Sequence, residues 1–200
     1  MKIYCFYNDN YKKIYNIFKS SLEKVDDGFE LCPSFIQKTF EFLDPGYEGQ
    51  HGKYKINFII NAIKENIGES IVFSDVDVKF LNPCRKKLLE DLQDVDMVFQ
   101  EEQSKDTNKR WGGGSSPLNA GFMALHCTEK TLQFFRRVLT SSDSSTIIEK
   151  AILRNLRLQP QNRVGPPVEW KLLSRQFASA SNAGFTEHGD SIYLIHANIH

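Results

Sequence analysis

The segment Ile71-Val72-Phe73-Ser74-Asp75-Val76-Asp77-Val78-Lys79-Phe80 constrains the fold more than any other. An apolar run leads into two carboxylates spaced i, i+2, and alternation continues through Val78 and Phe80. Such a pattern predicts a buried strand whose carboxyl end emerges from the core. Side chains two apart on a strand share a face, so Asp75 and Asp77 are expected to project together. They would do so at the edge where open α/β sheets hold ligands. Adjacent like charges repel, and near a core they need something positive between them. A hard divalent cation suits that place.

Around this segment, strand and helix patterns alternate. Ile3 to Tyr7 reads as a first strand, and Asn8-Asp9-Asn10 as a turn that starts a helix carrying Tyr11, Ile14, Tyr15, Phe18 and Leu22. Phe29-Glu30-Leu31 predicts a second strand closed by Cys32-Pro33, and Asp44 to Gly52 a loop. Ile56, Ile59, Ile60, Ile63 and Ile67 mark a helix stopped by Gly68. Further strands are expected at Asp96–Gln100, Ala120–Leu125 and Ile192–Ile195, the last ending at His196. Helices are expected around Leu88–Leu92, Leu132–Leu139 and Ile147–Leu156. The stretch from Glu101 to Pro117, with Gly112-Gly113-Gly114-Ser115-Ser116, reads as a loop, and Gln159 to Gly184 resists assignment. No repeat is visible. The expected architecture is α/β: a mixed, mostly parallel sheet flanked by helices, as a single domain over 1–200.

The 25 basic and 25 acidic residues balance, so no basic field points to nucleic acid. No apolar run approaches the roughly 20 residues of a membrane span. Met1 to Tyr7 is too short for a signal-peptide core, and no Asn-x-Ser/Thr sequon occurs. Cys5, Cys32, Cys84 and Cys127 form no CxxC pair, so neither a zinc nor a redox motif is indicated. Reduced thiols and a cytoplasmic location are the expectation, although the even count leaves disulfides possible.

An Asp-x-Asp pair alone is weak, since a strand end with two solvated acids is the commoner case. The context changes the weighing: Tyr7-Asn8-Asp9-Asn10-Tyr11 comes before it, and Asn119-Ala120-Gly121-Phe122 and His196-Ala197-Asn198 after it. With these, the chain resembles the metal-dependent nucleotide-diphospho-sugar glycosyltransferases of the GT-A (Rossmann-like) fold, the glycogenin-like enzymes and their relatives. The resemblance implies a hexosyl- or pentosyltransferase that takes a nucleotide-diphosphate sugar, UDP first among them, and transfers to a glycan or other hydroxyl acceptor. It implies Mn²⁺ (or Mg²⁺) held by Asp75, Asp77 and His196, with His200 as an alternative ligand. Donor contacts would come from Asn8, Tyr11, Lys55, Ser74, Asp75, Val76, Asn119, Ala120 and Gly121, with Lys53 close behind Lys55. Tyr11 reads equally as an aromatic packed on the core at a helix start.

In the family an Asp-Gln pair follows the Asn-x-Gly segment. Its nearest counterpart here is Glu149-Lys150, and Glu149 joins Asp75 and Asp77 as a catalytic candidate. The family's glycine-lysine segment after the histidine, whose lysine steadies the diphosphate, has no counterpart before His200. Retention of anomeric configuration is implied, with the departing phosphate oxygen able to take the acceptor proton. If a protein base exists, Glu101, Glu102 and Glu149 are the candidates. Asp75 and Asp77 then hold the ion and donor, and are neither nucleophile nor base. The loop from Ser104 to Pro117 could close over the donor, and Trp111 or Trp170 could stack on a sugar or anchor packing.

Two rivals stand beside this reading. One is a degenerate transferase that binds nucleotide-sugar or glycan without turnover. The other is a haloacid-dehalogenase-type phosphatase, which also places Asp-x-Asp after an apolar strand. That motif wants Thr or Val where Lys79 stands, and it usually lies near the N-terminus.

Overall fold

The computed structural model describes residues 1–37, 47–102, 117–142, 148–158, 167–179 and 192–196. The chain opens with β1 (Lys2–Tyr7), a 3-10 turn (Asp9–Tyr11) and α1 (Lys12–Val25), then β2 (Glu30–Phe35) and α2 (Tyr47–Glu65). β3 (Ser70–Ser74), β4 (Val78–Phe80), α3 (Arg85–Leu92), β5 (Met97–Glu101) and β6 (Leu118–His126) follow. The remaining elements are α4 (Glu129–Ser141), α5 (Ile148–Leu158), β7 (Trp170–Leu172), β8 (Phe177–Ser179) and β9 (Leu194–His196).

Six strands form the central sheet in the order β2-β1-β3-β6-β5-β7. β6 is antiparallel to both its neighbours, and every other described pairing in this sheet is parallel. The expected mixed, mostly parallel sheet flanked by helices is therefore present. Strand alternation splits the core in two. Tyr4, Ile71, Phe73, Met97 and Phe99 pack with α2, α4 and α5 on one face. Ile3, Cys5, Val72 and Val98 pack with α1, α3 and the small sheet β4-β9-β8 on the other.

The expected single strand through Asp75 and Asp77 is corrected. β3 stops at Ser74, a turn carries Asp75, Val76 and Asp77, and β4 begins at Val78 in the second sheet. A period-2 pattern continues unchanged across such a break, so alternation alone does not reveal it. Two other expectations shift. β2 runs on through Pro33, which is exposed on a strand whose partner among the described residues is β1 alone, where a missing N–H costs the ladder nothing. α2 begins at Tyr47, so residues 47–52 of the expected loop are helical. Gly68 adopts φ 92° just beyond α2, as a left-handed helix stop requires.

β6 carries the irregularity that shapes the site. Phe99 of β5 faces Met123, but Gln100 faces Asn119, so Ala120, Gly121 and Phe122 lie outside that pairing. β6 meanwhile stays in register with β3 as far as Ser74↔Phe122. The bulge lets main chain at Gly121 turn toward the Asp75 turn, and the Gly121 carbonyl accepts from the Asp75 N–H at 2.6 Å.

Candidate functional site

The turn after β3 presents Asp75 and Asp77, and each meets a basic side chain from a different element. Lys55, from α2, donates to Asp75 Oδ2 at 2.8 Å. His196, the last residue of β9, places Nε2 3.1 Å from Asp77 Oδ1. β9 reaches this place because it pairs antiparallel with β4 in the register Val78↔His196. One ligand atom from each of Asp75, Asp77 and His196 lies within 4.8 Å of the others. The basic side chains sit behind and the acids in front: the Lys55 and His196 side chains are each 4% exposed, Asp75 27% and Asp77 11%.

Glu149, from α5, completes the charge cluster. Its Oε1 accepts from the Ala120 N–H at 3.4 Å, its field acts on Lys55, and the field of Asp75 acts on it. Burial pushes both the Asp75 and Glu149 carboxyls above their usual range, and Lys55 offsets part of that push. Burial alone would lower Lys55, but Asp75, Glu149 and Asp77 together hold it above its ordinary value. His196 behaves alike: burial opposes its charge, and Asp77 and Asp75 outweigh burial. Three carboxylates thus share two basic side chains, and the raised Asp75 and Glu149 carboxyls would be steadied by further positive charge. Two oxygen donors and one imidazole suit Mn²⁺ or Mg²⁺, so the residues fit the expected ion.

The fold itself requires a glycine at position 121. A Cβ there would fall 2.0 Å from His196 Cε1. The glycine therefore makes room for the imidazole itself, whatever it offers a sugar. Asn119 is held within the bulge: its amide nitrogen donates to Glu102 at 2.9 Å, and its oxygen accepts from the Gly121 N–H at 2.7 Å.

The other expected residues divide. Asn8 is buried, and its side chain accepts from the Tyr11 N–H at 3.2 Å, so it caps the 3-10 turn. Tyr11 packs at the edge of the core on the α1 face. The Ser74 hydroxyl donates to the Asp75 carbonyl at 2.8 Å and stiffens the turn. Val76 and Ala120 bury their side chains in opposite core faces, so any ligand contact they make is through main chain. Glu101 pairs with Arg175 at 3.3 Å. Trp170 packs against Phe99 at the edge of the core, which is the anchoring alternative. Trp111, His200 and the Ser104–Ser116 part of the expected closing loop lie outside the described residues.

Gln100 escaped the sequence reading. It is fully buried and its amide reaches His196. The signal was present: Met97 and Phe99 face one core and Val98 the other, so Gln100 is a polar residue at a core-facing position.

The model of the nucleotide-diphospho-sugar transferase family matches residues 38–200. The chain belongs to this family. Solved structures agree on the fold of the transferase. A glycosyltransferase involved in the glycosylation of the major capsid of PBCV-1 superposes with TM-score 0.64 at 14% identity, covering 98% of this chain and 91% of that one. Galactosyltransferase LgtC, solved with donor and acceptor sugar analogues, gives 0.57 at 14% identity, over 99% and 87%. Glycosyltransferase GlyE of Streptococcus pneumoniae TIGR4 gives 0.56 at 10% identity, over 88% of this chain and 45% of that one. These neighbours are GT-A glycosyltransferases, and the transferase shares their architecture. Among curated proteins none matches its sequence. Among the described residues, no helix of the transferase is long and apolar enough to cross a membrane.

Proposed function

We propose that this transferase is a metal-dependent enzyme that moves a sugar from a nucleotide-diphosphate donor, a UDP-sugar before others, to a hydroxyl of a glycan or other acceptor, with retention at the anomeric carbon. One observation carries the reading: Asp75, Asp77 and His196 converge within 4.8 Å beside the buried Lys55, in a chain of this family. Mn²⁺ or Mg²⁺ held by those three residues would supply Lewis acidity toward the leaving diphosphate.

The chain's own residues do the rest. Asp75 and Asp77 are more open than Lys55 and His196 and face the donor. Lys55, fixed behind Asp75, supplies a second positive charge near the developing phosphate charge without a flexible stem to order. Glu149 adds a carboxylate on the bulge side, suited to a sugar hydroxyl or to the positive charge that develops on the ring. Ala120 and Gly121 offer main chain for close approach, and Asn8 fixes the turn after β1 where a base would lie. Retention needs no separate base, because the departing phosphate oxygen can take the acceptor proton. That agrees with Glu101 and Glu102 being engaged by Arg175 and Asn119.

The test is incubation with Mn²⁺ and a panel of UDP- and GDP-sugars, following release of nucleoside diphosphate. Release that requires metal supports the reading. Donor binding with no turnover on any sugar would replace it with a non-catalytic binder, and phosphate release from a simple phosphomonoester with a phosphatase.

A further inference from the structure

We infer that Gln100 is a positioning residue for the metal site, holding the His196 imidazole so that Nε2 is presented to the ion. The inference rests on the metal-dependent reading above. The Gln100 side chain is fully buried between the two sheets. Its amide nitrogen donates to the Phe177 carbonyl at 3.1 Å and to the Ala178 carbonyl at 2.9 Å. Carbonyls only accept, so the amide cannot be reversed without facing oxygen against oxygen twice. The amide oxygen is thereby committed to His196 Nδ1, 3.0 Å away. An amide oxygen only accepts as well, so Nδ1 carries a hydrogen and donates it. Nε2 is then the ring nitrogen that faces Asp77 and the acid turn.

A relay of fixed hydrogen bonds therefore runs from the donor His196 on β9, through Gln100 on β5, to carbonyl acceptors on β8. Metal-binding histidines are commonly held in this way, and the outer partner fixes both ring orientation and tautomer. Gly121 closes the remaining freedom, because the ring lies where its Cβ would stand. The bulge in β6 begins opposite Gln100, so the same irregularity that seats the ring also frees the strand face that holds it. A residue needed only for filling this space would not have to be polar. Gln100 satisfies two main-chain carbonyls and one imidazole nitrogen at once.

Gln100→Met keeps length and approximate volume and removes both bonding functions. Mn²⁺ affinity is read by electron paramagnetic resonance of the free ion, normalised to folded protein, in wild type and variant. The expected result is a loss of about 10- to 100-fold in affinity. Equal affinity in the two proteins overturns the inference and leaves the metal reading standing. A wild type that binds no Mn²⁺ overturns the metal reading and the inference with it. Should the variant fail to fold, metal-free wild type labelled with ¹⁵N at histidine decides the matter. A slowly exchanging proton on His196 Nδ1 supports the relay, and a bare Nδ1 overturns it.

Discussion

At the amino end of β3, the Ser70 hydroxyl and His126 Nδ1 lie 2.8 Å apart, and His126 Nε2 reaches the Leu92 carbonyl at 3.1 Å. Nearby, Asn66 joins Lys2 and the Tyr4 hydroxyl, and Asp96 joins Lys130 and the Glu169 N–H. At the carboxyl end of the same strand, His196 and Lys55 meet three carboxylates. Both ends carry a histidine, and the two are wired in reverse. His126 must donate from Nε2, because its partner there is a carbonyl, and both nitrogens are committed to the fold. His196 donates from Nδ1 and leaves Nε2 among acids. One end spends its polar groups on holding elements together. The other keeps charge unbalanced, a configuration that is poor for stability and good for binding.

The sharpest way to break this comparison is Asp77→Ala. It should cut Mn²⁺ affinity by more than about 100-fold, beyond the range that changes outside the first layer of ligands give. Mn²⁺-dependent donor binding should vanish while a cooperative melting transition survives. Undiminished metal-dependent binding by calorimetry would remove Asp77 from the site. Gly121→Ala comes next. Its methyl would collide with the His196 ring, costing about 1–3 kcal/mol in strain and about tenfold or more in metal affinity. A variant with normal affinity would mean that the ring is free to move.

Saturating metal should raise the stability of the folded chain by about 2.7 kcal/mol at a hundredfold excess over Kd. Chelation should reverse the shift, and Asp77→Ala should show none; differential scanning fluorimetry reads all three. His126→Ala should do the opposite: a loss of about 1–3 kcal/mol from the groups it leaves unpaired, with Mn²⁺ affinity unchanged. A matching loss of metal affinity would show that the two ends are coupled. The smallest effect expected concerns the thiols. Burial pushes Cys5 and Cys127 up to about 12 and Cys84 higher still, while Cys32 is only partly buried. Cys32 should therefore be the first to react with iodoacetamide under native conditions, as peptide mass mapping would show.

Much of the sheet was legible in the sequence because its strands are nearly continuous apolar runs, as at Ile71–Phe73 and Met97–Phe99. Asp75, Asp77, Lys55 and His196 were legible as candidates from their places relative to those runs, and they do come together in space. What the sequence concealed has physical causes. Gly49 and Gly52 resemble loop residues, yet they lie in the first half of α2, whose helical state follows from packing rather than propensity. The break at Asp75–Asp77 preserved the alternation of a continuous strand. β7 and β8 are three residues each, too short to show a period. Gln100 and the purpose of Gly121 depend on a register jump between strands, which no local pattern encodes.

The pairing of β9 with β4 has a consequence for how the protein comes into being. A nascent chain carries Asp75 and Asp77 long before the ribosome adds His196. β3 can pair with β1 and β6 before His196 exists, but β4 waits for β9. An ion held by all three residues would be captured only once β9 has joined β4, and a chain interrupted before β9 would hold the acids without the imidazole beside them.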